Sequence, residues 1–281
     1  MNIFFPEKLK KPALIAAGVT AAIGLPLFLV APGSITKRQK TPFYGRSFAH
    51  RGLHVEDKSV PENSLEAFRL AASAGYGVEL DVQLSKDGQV VVFHDDTLDR
   101  VCGVHARVDE KSFDELRLLR LCGTEQRIPL FSDVLAVIRG RGPLLVELKN
   151  GRRNRELCKK TYALLQGYKG DVCIESFNPR IVAWFRFHGR DLLRGQLAAP
   201  VADYVKDGFK KPLGFVLSRT LLNFLARPQF IAYKIGRRPL LVRVSEKLGA
   251  MKVGWTSHDP VNEKGRDAVI FEFYRPGLRF K

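Results

Sequence analysis

The most restrictive feature of this chain is a rhythm. From about residue 46 to residue 276, short apolar runs with a period of two alternate about eight times with stretches of helical period. Alternation of this kind builds a parallel sheet, because each return to the same edge needs a crossover helix. The number of repeats and their span suit a closed (β/α)8 TIM barrel better than an open doubly wound sheet. Strands are expected over 46–50, 77–84, 89–93, 143–149, 171–176, 193–199, 229–235 and 252–256, followed by a tail over 265–276. Ser64 or Asn63 caps a helix running to about Ala74, and Ser112 with Glu115 forms a capping-box pattern.

The N-terminus has a different character. Residues 1–11 are basic, and residues 12–32 carry no charge. About 20 apolar residues are enough to cross a bilayer. The division expected is a basic N-terminus (1–11), a single transmembrane anchor (12–32), a linker (33–45) and a barrel domain (46–281). A buried helix and a cleaved signal peptide are the alternatives. Against the first, nothing polar marks a solvent face; against the second, the apolar run is long. Lys37, Arg38, Lys40 and Arg46 after the segment outnumber the lysines before it, which leaves the orientation open but leans toward a cytoplasmic domain. A basic stretch there also attracts anionic lipid.

The net charge of +17 calls for an acidic partner: nucleic acid, an anionic membrane surface or a phosphorylated substrate. No Gly-x-Gly-x-x-Gly or phosphate-loop motif supports nucleotide binding. The four cysteines show no metal-ligand spacing, and Cys173 sits in an apolar strand that reads as core.

Polar residues collect where the strands end. Glu79 and Asp81 are two apart, so on a strand their carboxylates leave the same face. Side by side they repel, and a hard divalent cation between them is the natural remedy. His50, His94 and the pair Glu147 and Lys149 end neighbouring runs. In a parallel barrel those ends share one rim, where catalytic groups gather. Three carboxylates without a cysteine make a site for Mg²⁺ or Ca²⁺ rather than thiolate-bound zinc. Two histidines suit paired acid and base work, and Arg51 and Lys149 could neutralise an anionic substrate.

The ordered set His50-Arg51-Gly52, Pro61-Glu62-Asn63-Ser64, Glu79-Leu80-Asp81-Val82-Gln83, Phe93-His94-Asp95 and Glu147-Leu148-Lys149 resembles the glycerophosphodiester phosphodiesterase family. The resemblance implies a TIM barrel related to the phosphatidylinositol-specific phospholipases C. It also implies metal-dependent hydrolysis of glycerophosphodiesters to sn-glycerol 3-phosphate and an alcohol, through attack by the substrate's own 2-hydroxyl and a cyclic phosphate that water opens. Carried over, Glu79, Asp81 and Glu147 would bind the divalent metal, with Glu62 lining the same site. His50 and His94 would be general acid and base, Arg51 and Lys149 would hold phosphate oxygens, and Trp255 would wall the glycerol pocket. An intact-lipid phosphodiesterase of C or D type is the alternative, and a non-catalytic anionic-lipid binder is the alternative of another class. Nucleic acid is not an expected partner.

Other residues read more plainly. His54, His105, His188 and His258 show no partner pattern and read as surface or structural. The basic, apolar connection 201–227 is either a lipid-facing loop or an ordinary barrel helix. Gln196 faces either the rim or the helix layer.

Overall fold

Among the described residues the chain forms nine strands: β1 (Arg46–Ala49), β2 (Gly77–Leu84), β3 (Val90–Val92), β4 (Leu144–Leu148), β5 (Val172–Ser176), β6 (Leu193–Ala198), β7 (Phe230–Lys234), β8 (Met251–Ser257) and β9 (Ala268–Phe271). The structure is a computed structural model and describes residues 24–281. All but β3 run parallel, and the ring closes because β1 pairs with both β9 and β2. The eight-stranded parallel barrel expected from the alternation is therefore the fold.

Alternation along each strand divides the interior from the helix layer. On β2, Val78, Leu80 and Val82 pack outward with Phe68 of the helix Leu65–Ser73 and Phe131 of the helix Phe131–Ile138. The intervening Glu79, Asp81 and Gln83 point inward. The inner floor is apolar: Phe48, Leu145, Cys173, Leu193, Leu197, Phe230, Met251, Val253 and Ile270 fill it. Its fit depends on Gly195. Gly195 pairs with Phe230 in register, and a Cβ there would run into the Phe230 ring. Gln196, one residue on, has the opposite parity and faces the helix layer, where it donates to the Ser176 and Phe177 carbonyls.

One expectation is corrected. His94 does not end a barrel strand. β3 turns back antiparallel to the far end of β2, with Val82 opposite Val92 and Leu84 opposite Val90. The turn Ser85–Gly88 is too short for a crossover, so a hairpin is the only connection available. Residues 95–130 then form a small lobe of one-turn helices around Leu98, Val101, Leu116 and Ile128, packed on Val91 and Phe93. The Ser112–Glu115 capping box is present in it, on a helix of a single turn.

Residues 33–45, expected as a linker, lie against the base of the barrel. Phe43 packs 6.4 Å from the Phe48 ring and closes the floor. The expected anchor over 12–32 lies for the most part outside the described residues. Its described end, helical over 24–30, is held beside the entry to β7. Arg227 donates to the Phe28 and Ala31 carbonyls, and Gly33 N–H to that of Pro228. Among the described residues, no helix is long and apolar enough to cross a membrane.

Candidate active site

The mouth of the barrel gathers most of the residues singled out above. Glu79, Asp81 and Glu147 each place a carboxylate oxygen within 4.8 Å of the others. All three are buried, at 2%, 1% and 7% exposure. Asp81 and Glu147 are direct register partners on β2 and β4. Burial and its two acidic neighbours push the Glu79 carboxyl well above the ordinary range. Asp81 resists burial and stays low because positive charge from His94, Lys149 and Arg51 surrounds it. Lys149 Nζ lies 2.9 Å from Glu147 and 3.4 Å from Asp81. Asp81 Oδ1 has no hydrogen-bond partner. A buried carboxylate oxygen with an ion-pair contact to Lys149 at 3.4 Å but no hydrogen bond, in a cluster of three acids, fits a hard divalent cation.

The His50-Arg51-Gly52 turn is built to meet this cluster. Arg51 is held at φ 52°, a left-handed conformation that costs a non-glycine residue on the order of 1 kcal/mol. That conformation aims its N–H at Glu79 Oε2, 2.8 Å away. Gly52 follows at φ 81°, where a Cβ would press on Ala67 at 2.8 Å. Asn63, also left-handed at φ 55°, donates from Nδ2 to Asp81 Oδ2 at 2.9 Å. Ser64 caps the following helix by accepting from Ala67 N–H.

His94 sits on the loop after β3, and three groups fix it there. Gln83 donates to the Phe93 and Asp95 carbonyls on either side of it. Asp95 Oδ1 lies 2.6 Å from His94 Nδ1. Arg100, from the small lobe, grips Asp95 and reaches Glu62 with both terminal nitrogens at 2.7 Å. Burial opposes ionisation of Asp95, but His94 and Arg100 outweigh it and keep the carboxyl below the ordinary range.

Glu62, expected to line the same site, is engaged by two arginines. Arg51 and Arg100 occupy its two oxygens. Burial opposes its charge, yet the arginines hold its pKa down to about 2. It lies outside the 4.8 Å group of Glu79, Asp81 and Glu147, and its oxygens neutralise arginines.

His50 faces a second acid that the sequence reading passed over. Glu272 Oε1 lies 3.5 Å from His50 Nδ1 and 2.8 Å from His54 Nε2, and His258 is 3.9 Å from its other oxygen. His54, read as surface or structural, is 9% exposed and belongs to this group. Burial takes the His50 imidazole down to about 4, although Glu272 pulls the other way. Burial also works against the Glu272 charge, but the two imidazoles hold it below the ordinary range. No local pattern links residues 50, 54 and 272. Only closure of the barrel through β1 and β9 brings them together. Trp255 stands inside the mouth, its Nε1 donating to the Ala232 carbonyl and its ring edge-on to Phe177 at 5.5 Å.

The fold and this constellation define a class: a parallel barrel whose mouth combines three clustered carboxylates, able to hold a cation, with two histidines. Residues 50–273 match the glycerophosphoryl diester phosphodiesterase family, and the chain belongs to that family. It is 38% identical over 113 residues to a glycerophosphodiester phosphodiesterase of Caldanaerobacter subterraneus, covering 37% of this chain and 44% of that protein. It is 33% identical over 156 residues to the lysophospholipase D GDPD1 of Rattus norvegicus, covering 51% and 48%. The chain thus spans less than half the length of these relatives. A phosphodiesterase of Oleispira antarctica, solved with sn-glycerol 3-phosphate, has the same fold: TM-score 0.67, 22% identity, 83% of this chain and 94% of that one.

Proposed function

We propose that the protein hydrolyses glycerophosphodiesters to sn-glycerol 3-phosphate and an alcohol. The observation that carries this reading is the convergence of Glu79, Asp81 and Glu147 between two separately supported histidines. A Mg²⁺ or Ca²⁺ ion on the three carboxylates would offset phosphate charge and make a nearby hydroxyl more acidic. Arg51 and Lys149, at the edge of the same cluster, would bind the phosphate oxygens. Trp255 would wall the glycerol moiety.

The residues divide the proton work. His50 is kept neutral by burial and accepts the proton of the substrate's 2-hydroxyl. That oxygen bonds to phosphorus, and the P–O bond to the alcohol breaks. His94, oriented by Asp95, supplies the alcohol's proton. Water then opens the cyclic phosphate with the two roles exchanged. The test is release of glycerol 3-phosphate from glycerophosphocholine by the full chain with Mg²⁺, Ca²⁺ or EDTA. Release that EDTA abolishes supports the reading, and no release with either metal overturns it.

A second reading, action at a membrane on lipid substrates, is favoured by one face. Residues 179–248 hold fourteen Lys and Arg against four Asp and Glu. Eleven of the fifteen large apolar side chains exposed among the described residues lie there or on 24–30, Val205, Phe209, Leu213 and Phe215 among them. These segments adjoin in space: the 24–30 helix stacks Phe28 on Phe224, and the helix Val201–Lys206 packs on the helix Lys211–Ser218. Basic and apolar groups on one face suit an anionic bilayer, in keeping with attachment through 12–32. Faster turnover of lysophosphatidylcholine in phosphatidylglycerol vesicles than of glycerophosphocholine would favour this reading. The reverse preference would sink it.

A further inference from the structure

Glu175 is the acidic side chain that the proposed reaction leaves unused. It follows Cys173 on β5, and the alternation that sends Cys173 into the inner floor sends Glu175 inward too, two residues nearer the mouth. Its neighbours are in register: Asp81 pairs with Glu147, and Glu147 with Glu175. Neighbouring strands lie about 4.8 Å apart, so the three carboxylates form a row across β2, β4 and β5, with Glu79 one inward step below Asp81. The row ends at Gly195, the next partner, where the Phe230 ring fills the space and offers no charge.

Glu175 is 1% exposed, and its Oε2 has no hydrogen-bond partner. A buried carboxylate in that state is costly. The protein's own cations do not meet the need. Lys149 is shared by Asp81 and Glu147, and Arg51 divides between Asp81 and Glu62. Four inward carboxylates therefore share Lys149, His94 and part of Arg51, and burial with mutual repulsion opposes the charge of Glu79 and Glu175. A divalent cation would offset that repulsion.

Resting on the cation reading above, we propose that Glu175, which stands beside the 4.8 Å group of three rather than within it, adds its charge to the hold of Glu79, Asp81 and Glu147 on Mg²⁺ or Ca²⁺. The glutamate thus accounts for itself: its unpaired oxygen is tolerated because the bound ion answers it.

The test is isothermal titration of the full chain in detergent with MgCl₂ and with CaCl₂, for wild type, Glu147→Gln, Glu175→Gln and Glu175→Asp. Wild type is expected to bind and Glu147→Gln to fail. Glu175→Gln is expected to bind at least ~10-fold more weakly, and Glu175→Asp to recover part of the loss. Binding by Glu175→Gln within twofold of wild type overturns the proposal while the cation reading stands. No binding by wild type overturns the cation reading and the proposal with it. Thermal unfolding in EDTA gives a second readout. Glu175→Gln keeps the shape and removes a carboxyl whose ionisation burial and the acids Glu79, Glu147 and Asp81 oppose, so it should melt at or above wild type and gain less on adding metal. A variant that melts lower in EDTA yet gains as much from metal would make Glu175 a packing residue and overturn the proposal.

Discussion

The carboxylates of β2 and β4 and the histidines around them share one mouth but are held in opposite ways. The carboxylates stand on adjacent barrel strands, buried, in register, and short of positive charge. The histidines stand on loops or hairpin ends, each beside an acid of its own: His50 by Glu272, His94 by Asp95. Strands fix position to within a register step but cannot adapt, which suits a site for a small hard ion. Loops can be trimmed by neighbours, which suits groups that must change protonation as the reaction proceeds. Arg100 shows the trimming, since one guanidinium sets both Asp95 and Glu62. If the division is right, substitutions on the two sides should part rate from cation affinity.

The largest effect is expected at His94. His94→Ala should lower kcat by roughly 10²–10⁴-fold with the Mg²⁺ or Ca²⁺ affinity unchanged. A comparable fall in affinity would merge the two regions. Glu147→Gln is the converse. It removes one of three clustered carboxylates and leaves Lys149 its contact with Asp81. Cation binding should be lost, activity with it, and the melting temperature in EDTA should stay near wild type or rise, because like charges separate. A sharp fall in EDTA would mean that the acids serve the fold rather than the ion.

Much of this mouth could be read in the sequence, and the failures have a common cause. The strand–helix rhythm, the shared face of Glu79 and Asp81, and the Ser64 cap are local patterns, set within a few residues. Whatever depended on distant partners was not legible. Glu272 meets His50 and His54 across 222 and 218 positions, and nothing near residue 54 marks it. Glu62 enters the site through the resemblance alone, and its partner Arg100 lies 38 residues away. Glu175 did carry a signal: it shares Cys173's inward parity at the end of a strand. The base was misjudged because Pro42 and Gly45 suggest a linker, whereas Phe43 between them is the side chain that seals the barrel.

Arg100 gives the third, intermediate effect. It touches neither the carboxylate cluster nor the inner floor, and it is half-exposed. Arg100→Ala frees Asp95 and Glu62 together, so His94 loses its fixed orientation and Arg51 becomes Glu62's remaining partner. A fall in kcat of roughly tenfold is expected, at constant cation affinity, with Arg100→Lys restoring only part because an ammonium cannot fork across two carboxylates. An unchanged kcat would remove Arg100 from the histidine side altogether.

The smallest effect separates the histidines from each other, through Glu272. Burial holds the His50 imidazole down to about 4 against the upward pull of Glu272. His50 must be neutral to accept a proton, so kcat/KM should fall on the acid side as His50 becomes charged. Glu272→Gln keeps the shape and removes the pull. The His50 imidazole then charges only at still lower pH, and the acid limb should move to lower pH while the basic limb stays. Stability should follow the same sign. Between the ordinary imidazole value and the folded one, the unfolded chain binds more protons, so acid destabilises the fold there. Glu272→Gln lowers the folded value further and extends that loss to lower pH. An acid limb that moves upward instead would show that Glu272 acts on His54 or His258 rather than His50, and would take the base role from His50.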